Sequence, residues 1–204
     1  MPPAKSTIAG LLLIGGKSRR MGRDKAVLDI GGTPLWQIAI EILKPLSDKV
    51  IVVGQIPALP NTAPYTSLAD SPPGFGPMGG LATGLERSGY EHHLVLAVDY
   101  PLVRPALLRL FLEHAADAAA VCGRSHDYLE PLVAYYHISC AVVMRQMISE
   151  GEMRTHKVFD RVTSHVVTTE EYEAADPERL SQINVNTPED LDNVRRLYLA
   201  HMEK

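Results

Sequence analysis

A three-layer α/β/α sandwich built on a mainly parallel sheet is the fold this sequence predicts, and three observations predict it. Apolar runs at 8–14, 50–53 and 94–98 show no polar alternation, as strands covered on both faces do. From Ile8 onward such runs alternate with stretches of helical character, the mark of a sheet flanked by helices. Glycines or a carboxylate follow each of the runs, at the strand ends where open α/β sheets bind ligands.

The first strand, Ile8 to Ile14, leads into Gly15-Gly16-Lys17-Ser18-Arg19-Arg20-Met21-Gly22-Arg23-Asp24-Lys25. Gly15 and Gly16 let the backbone turn sharply and bring its N–H groups close to a ligand, and Gly22 repeats that freedom. Lys17, Arg19, Arg20, Arg23 and Lys25 concentrate positive charge in a chain whose net charge is -4. A polyanion, most simply a nucleoside triphosphate, suits such a cradle. The P-loop spacing fails because Arg20 and Met21 stand where its second glycine belongs, and the dinucleotide fingerprint fails as well. A solvated basic turn is the alternative; glycines and cations in this order favour the cradle.

The loop resembles, nearly residue for residue, the signature Leu-Ala-Gly-Gly-x-Ser-x-Arg-Met-Gly-x-Asp-Lys of MobA-like nucleotidyltransferases. Leu13, Gly15, Gly16, Ser18, Arg20, Met21, Gly22, Asp24 and Lys25 match it, and Ile14 replaces the alanine.

Ala26 to Ile30 reads as a short extended piece closed by the turn Gly31-Gly32-Thr33. Thr33 is then the expected cap of a helix that opens at Pro34, runs to Leu43 and stops at Pro45. Val50 to Val53 is the next strand, ended by Gly54, and the proline-rich stretch 56–64 is expected to be surface loop. In the second glycine-rich stretch, Asp70 to Leu85, Pro77 should open a helix, with Gly79, Gly80 and Gly84 permitting close packing. This stretch resembles the family's second signature. That resemblance assigns guanine recognition to Asp70, whose carboxylate can accept from the N1–H and the exocyclic amine together. A turn or cap role is the alternative for Asp70.

The run ending Val98-Asp99-Tyr100-Pro101 delivers a carboxylate to the sheet's carboxyl edge. There it is a natural Mg²⁺ ligand, because magnesium takes one or two carboxylates and fills its other positions with phosphate oxygens and water. Capping the next helix is the alternative. The corresponding family motif is Cys-Asp-x-Pro, from which Val98 and the bulky Tyr100 depart.

A helix from Pro105 to Ala116 and a strand from Ala118 to Cys122 follow. Glu130 to Tyr136 resembles the family strand introduced by Gln-Pro-Leu, with Glu130 in place of glutamine; Cys140 to Ser149 is its helix. Arg154, Lys157 and Arg161 read as solvated surface charge, or as contacts to an acceptor phosphate. The eight histidines show no ligand spacing, and His92-His93 at a strand start should face solvent. In Asn184-Val185-Asn186-Thr187-Pro188-Glu189-Asp190, Asn186 or Thr187 caps a helix whose first turn is acidic. Capping leaves Asn184 over, and the resemblance places it at a metal or phosphate site.

With 204 residues, 46% hydrophobic and 22% charged, the chain suits one well-buried globular domain spanning 1–204, with 1–7 as a flexible start. Cys122 and Cys140 have neither metal nor disulfide spacing, and no signal peptide or membrane span is seen. A cytoplasmic protein without membrane attachment is expected. Mild acidity argues against nucleic acid as a partner.

Across the four motifs, the resemblance implies a Rossmann-like sheet of the nucleotide-diphospho-sugar transferase type. It also implies a molybdenum cofactor guanylyltransferase, which moves GMP from GTP to the terminal phosphate of molybdopterin and releases pyrophosphate. Lys25, Asp99 and Arg20 would be catalytic. Leu13, Ile14, Gly15, Gly16, Lys25, Asp70 and Asp99 would bind nucleotide, Asp99 would hold Mg²⁺, and cofactor-handling proteins would be partners. A cytidylyltransferase for the same cofactor, a sugar-phosphate nucleotidyltransferase and a non-catalytic nucleotide sensor are the rivals. Possession of both Lys25 and Asp99 speaks against the last.

Overall fold

The computed structural model describes residues 1–15, 25–54, 65–69, 74–125 and 128–202. After a single 3-10 turn at Lys5–Thr7, the chain enters β1 (Ile8–Leu13), buried at every position. A second 3-10 turn, Lys25–Val27, precedes β2 (Asp29–Ile30) and β3 (Thr33–Pro34), which pair antiparallel. Helix α1 (Leu35–Leu43) follows directly.

Here the local expectation needs correction. Thr33 is not the cap, and Pro34 is not the first helical residue; Pro34 occupies the N-cap position without a side-chain hydrogen bond. Gly31 and Gly32 both take positive φ, 61° and 87°, and the Gly32 N–H donates to Asp29 Oδ1 at 2.9 Å. Two such residues make a tight hairpin whose return strand uses Thr33 and Pro34. The piece read as extended from Ala26 likewise begins as a 3-10 turn and becomes a strand only at Asp29.

The chain continues through β4 (Lys49–Val53), β5 (Thr66–Leu68), α2 (Gly76–Arg87), β6 (His92–Ala97), α3 (Pro105–Glu113), β7 (Ala120–Ser125) and β8 (Tyr128–His137). It closes with α4 (Cys140–Ser149), β9 (Ser164–Val166), α5 (Thr169–Ala175) and α6 (Pro188–Met202). Seven strands form one sheet in the order β5-β4-β1-β6-β8-β7-β9. Only β8 runs against its neighbours; the pairs β4/β5, β1/β4, β1/β6 and β7/β9 are parallel. The helix expected to reach Ala116 ends at Glu113, and the strand expected at 118–122 runs from Ala120 to Ser125. Pro77 does open its helix, in the first turn of α2. The loop expected at 56–64 lies outside the described residues.

Alternation along β1 sorts its side chains into two apolar layers. Ile8, Leu12 and Ile14 face a core shared with Leu35, Ile38 and Leu43 of α1, Leu107 and Phe111 of α3, and Leu191 and Val194 of α6. Ala9, Leu11 and Leu13 face Met78, Leu81 and Leu85 of α2 and Met144 and Met147 of α4. Cys122 and Cys140 are free thiols buried in this second layer. Gly84 brings α2 hard onto the sheet, since a Cβ there would lie 2.9 Å from Leu11 and 3.0 Å from Val53.

His93 also belongs to the interior, against the expectation of solvent exposure. Its Nε2 is 2.7 Å from the Ser88 hydroxyl and its Nδ1 3.3 Å from the Tyr136 carbonyl oxygen. Burial pushes its pKa down to about 4. The hydroxyl and carbonyl satisfy both ring nitrogens, so a polar side chain is tolerated in an apolar layer.

Topology fixes where a ligand can bind. From β1 the chain moves out through β4 to β5 on one side, then crosses to β6 on the other. The carboxyl ends of β1 and β6 therefore border a switch point, the usual crevice of open α/β sheets. Leu13 and Ala97 are register partners there, and the Val98 N–H donates to the Leu13 carbonyl at 3.1 Å.

Candidate functional site

Two residues beyond the end of β6 stands Asp99, carried there by a strand whose last five residues are buried. Across the switch point lies Lys25, at the start of the 3-10 turn that follows the basic loop. Its Nζ donates to Asp99 Oδ2 at 3.1 Å and to Asn186 Oδ1 at 2.7 Å. The Lys25 and Asp99 side chains are 19% and 22% exposed, sheltered enough for charge to act strongly yet open to a ligand.

The segment carrying Asn186 is pinned to the strand tip by its own backbone, as the Val185 N–H donates to the Asp99 carbonyl at 2.8 Å. Val185 is fully buried, so the asparagines on either side of it emerge together toward the crevice. The helix that follows is capped without either asparagine side chain. Thr187 Oγ1 accepts from the Asp190 N–H, while Asp190 Oδ2 accepts from the N–H groups of Asn186 and Thr187. Burial opposes ionisation of Asp190, but these hydrogen bonds and the charge of Lys25 prevail and lower its pKa. Capping thus leaves the Asn186 amide free for Lys25.

Asn184 has a different partner. Its Nδ2 lies 3.4 Å from the Tyr100 hydroxyl, and Glu130 stands near enough to Tyr100 for its charge to act on the phenol. Burial raises the pKa of Tyr100 and of Glu130, and the charge of Asp99 pushes in the same direction on both. The two departures from the family pattern, Tyr100 and Glu130, are therefore neighbours. Glu130 also lines a cleft together with Phe111, Gly123, Tyr172 and Gln182.

Leu13 and Ile14 are buried in opposite apolar layers, so only their main chain is available to a ligand; Gly15 is exposed with φ 154°. Gly16, Arg20 and Asp70 lie outside the described residues. Arg154, Lys157 and Arg161 are ion-paired at the surface with Glu152, Asp160 and Glu150. The structure thus brings together Lys25 and Asp99, and adds Asn186, which the sequence offers, with Thr187, as one of two candidates for the cap. The signal for it was the Asn-x-Asn spacing, which puts both amides on one side of an extended segment.

The sequence profile of the MobA-like NTP transferase domain matches residues 10–166. A protein of Chloroflexus aggregans named "Probable molybdenum cofactor guanylyltransferase" is 32% identical over 95% of this chain and 96% of its own. The molybdenum cofactor guanylyltransferase of Syntrophotalea carbinolica is 29% identical over 92% and 90%. Among solved structures, the molybdopterin-guanine dinucleotide biosynthesis protein A of Archaeoglobus fulgidus superposes with a TM-score of 0.83. It is 25% identical, with 94% of this chain and 99% of that one covered.

Proposed function

This chain belongs to the MobA-like NTP transferase family and is a nucleotidyltransferase, and from that premise we propose that it transfers GMP from GTP to the terminal phosphate of molybdopterin. The observation that carries the reading is the convergence of Lys25, Asp99 and Asn186 at the carboxyl edge of β1 and β6. The names of the curated relatives supply the nucleotide and the acceptor.

Lys25 Nζ lies between a carboxylate oxygen and an amide oxygen, so the crevice already holds one cation among hard oxygen donors. Those donors are of the kind Mg²⁺ takes. Asp99, with the Asn186 carbonyl oxygen beside it, would hold the ion, which when bound supplies charge neutralisation on phosphate oxygens. The other steps belong to the chain. An oxygen of the acceptor phosphate forms a bond to the α-phosphorus of GTP in line with the α–β bridging oxygen, whose bond to that phosphorus breaks as pyrophosphate leaves. The phosphate monoester is already anionic, so no general base is required. Lys25, released from Asn186, stabilises charge on the α-phosphate and leaving group; Arg20 and the loop N–H groups hold the polyphosphate.

Asn186→Ala leaves the helix cap intact while removing the amide oxygen that rests on Lys25 in the free protein and would help Asp99 hold the ion. A KM for nucleotide raised about fivefold is expected, equivalent to about 1 kcal/mol, with an unchanged melting temperature. Asn184→Ala gives up only a 3.4 Å contact to Tyr100, and a change below about twofold is expected. Steady-state kinetics on the two variants check the contrast; a larger effect at Asn184 would reassign the phosphate site to it.

Identity of the nucleotide is tested by incubating the protein with molybdopterin, Mg²⁺ and equal GTP and CTP, then following pyrophosphate and the dinucleotide product. Guanine dinucleotide should dominate. Cytosine dinucleotide, or release only with a sugar phosphate as acceptor, would replace the reading by one of its rivals.

A further inference from the structure

We propose that His114, His165 and Glu171 form a binding site for a divalent transition metal of the zinc class, on the face of the molecule that carries β9 and α5. One ligand atom from each lies within 4.8 Å of the others. His114 Nε2 is 3.3 Å from Glu171 Oε1. Bonds of about 2.0–2.1 Å to a tetrahedral zinc place neighbouring ligands about 3.3 Å apart, so this pair already has the spacing of one tetrahedral edge.

A second observation is independent of that spacing. His165 Nε2 is buried, and among the described residues no hydrogen-bond partner reaches it. A ring nitrogen stranded in this way is destabilising whether it carries a proton or a lone pair. A metal ion gives it a partner of the right chemistry.

The three ligands come from different elements. His114 is the C-cap residue just past α3, His165 is the middle residue of β9, and Glu171 sits in the first turn of α5. Glu171 is held in place by the N-terminal cap of its helix, where Oε2 accepts from the Thr168 N–H at 2.8 Å and Oε1 is left facing His114. The imidazoles are stacked, with centroids 3.9 Å apart and 16° between planes, so their nitrogens lie side by side and do not yet converge. Binding requires the His114 ring, on a side chain 27% exposed, to rotate out of the stack. Two imidazoles and one carboxylate select zinc-like ions over magnesium, and leave a fourth position for water.

The consequence is a staple at the sheet edge. Among the described residues β9, three residues long, pairs with β7 alone, and α5 has seven residues, so an ion tying both to the end of α3 would hold two short elements in place.

Untagged, metal-stripped protein is titrated with Zn²⁺ in excess Mg²⁺, present to compete for the strand-tip carboxylate, and followed by calorimetry and thermal melting. One ion per chain is expected, with a melting temperature raised about 5–10 °C at a hundredfold excess over the dissociation constant. Co²⁺ in place of Zn²⁺ should give the visible absorption of a tetrahedral site. His165→Ala and Glu171→Gln should abolish both uptake and shift. Glutamine preserves the capping box, so metal-free Glu171→Gln should melt as the wild type does and decides the matter should His165→Ala fold poorly. No uptake by the wild type, or uptake unchanged in Glu171→Gln, would overturn the proposal. Neither result bears on GMP transfer.

Discussion

Replacing Lys25 or Asp99 by alanine is expected to slow guanylyl transfer by about 10²–10³-fold while leaving the fold intact. The size follows from what each group does in the proposed reaction. Removing one preorganised donor from developing charge typically costs that much, and removing the carboxylate that would anchor Mg²⁺ costs at least as much. The stability side follows from exposure. Lys25 and Asp99 are each about one-fifth exposed, so losing their ion pair changes stability by no more than about 1 kcal/mol. Turnover is measured by pyrophosphate release under saturating GTP and molybdopterin, with melting curves on the same preparations. Activity within threefold of wild type in either variant would remove that residue from the mechanism. A collapse in melting temperature would show that the pair acts on the fold instead.

Gly54→Ala should be the most destabilising single substitution among the glycines at the strand tips. Gly54 adopts φ 120°, which L side chains rarely do, and a Cβ there would lie 1.7 Å from the Ile14 carbonyl oxygen. That overlap is with backbone, so no side-chain rotation relieves it. Nor can either segment move freely. The Ile14 N–H is bonded to Val53 O at 2.9 Å, and the Gly54 N–H to Leu68 O at 3.0 Å. Strain and lost hydrogen bonds together should cost about 3 kcal/mol, a fall in melting temperature of about 6–12 °C for a domain of this size. The displaced residue is Ile14, which precedes the glycine-rich cationic loop proposed to hold the polyphosphate, so nucleotide affinity should fall as well at temperatures where the variant is folded. Calorimetry and nucleotide titration test the two parts separately; a melting temperature within 2 °C of wild type would show that the strand tips part at little cost.

Much of the fold was legible because burial writes itself into strands. The run leading to Ile14 and the run leading to Asp99 are apolar at nearly every position, and the structure places them side by side in the middle of the sheet. Orientation was less legible. Nothing in Glu130 to Tyr136 distinguishes an antiparallel strand from its parallel neighbours, since β8 is as apolar in its second half as they are. His93 was misread because polarity alone cannot reveal that Ser88 and a carbonyl oxygen wait for both ring nitrogens. Eight histidines without ligand spacing concealed a cluster for the same reason: His114, His165 and Glu171 are gathered by packing, not by a local motif.

By itself, then, the order of residues determined which strands would be buried, that a carboxylate would end one of them, and that a cationic glycine loop would follow another. These are properties of short stretches, fixed by side-chain polarity and backbone freedom. Only the folded chain decided that Lys25 would meet Asp99 across 74 positions and Asn186 across 161, and that Asn184 would turn to Tyr100 instead. Those meetings depend on strand order and register, and a hydrogen bond reaches only about 3 Å, so no local pattern could have chosen between the two asparagines.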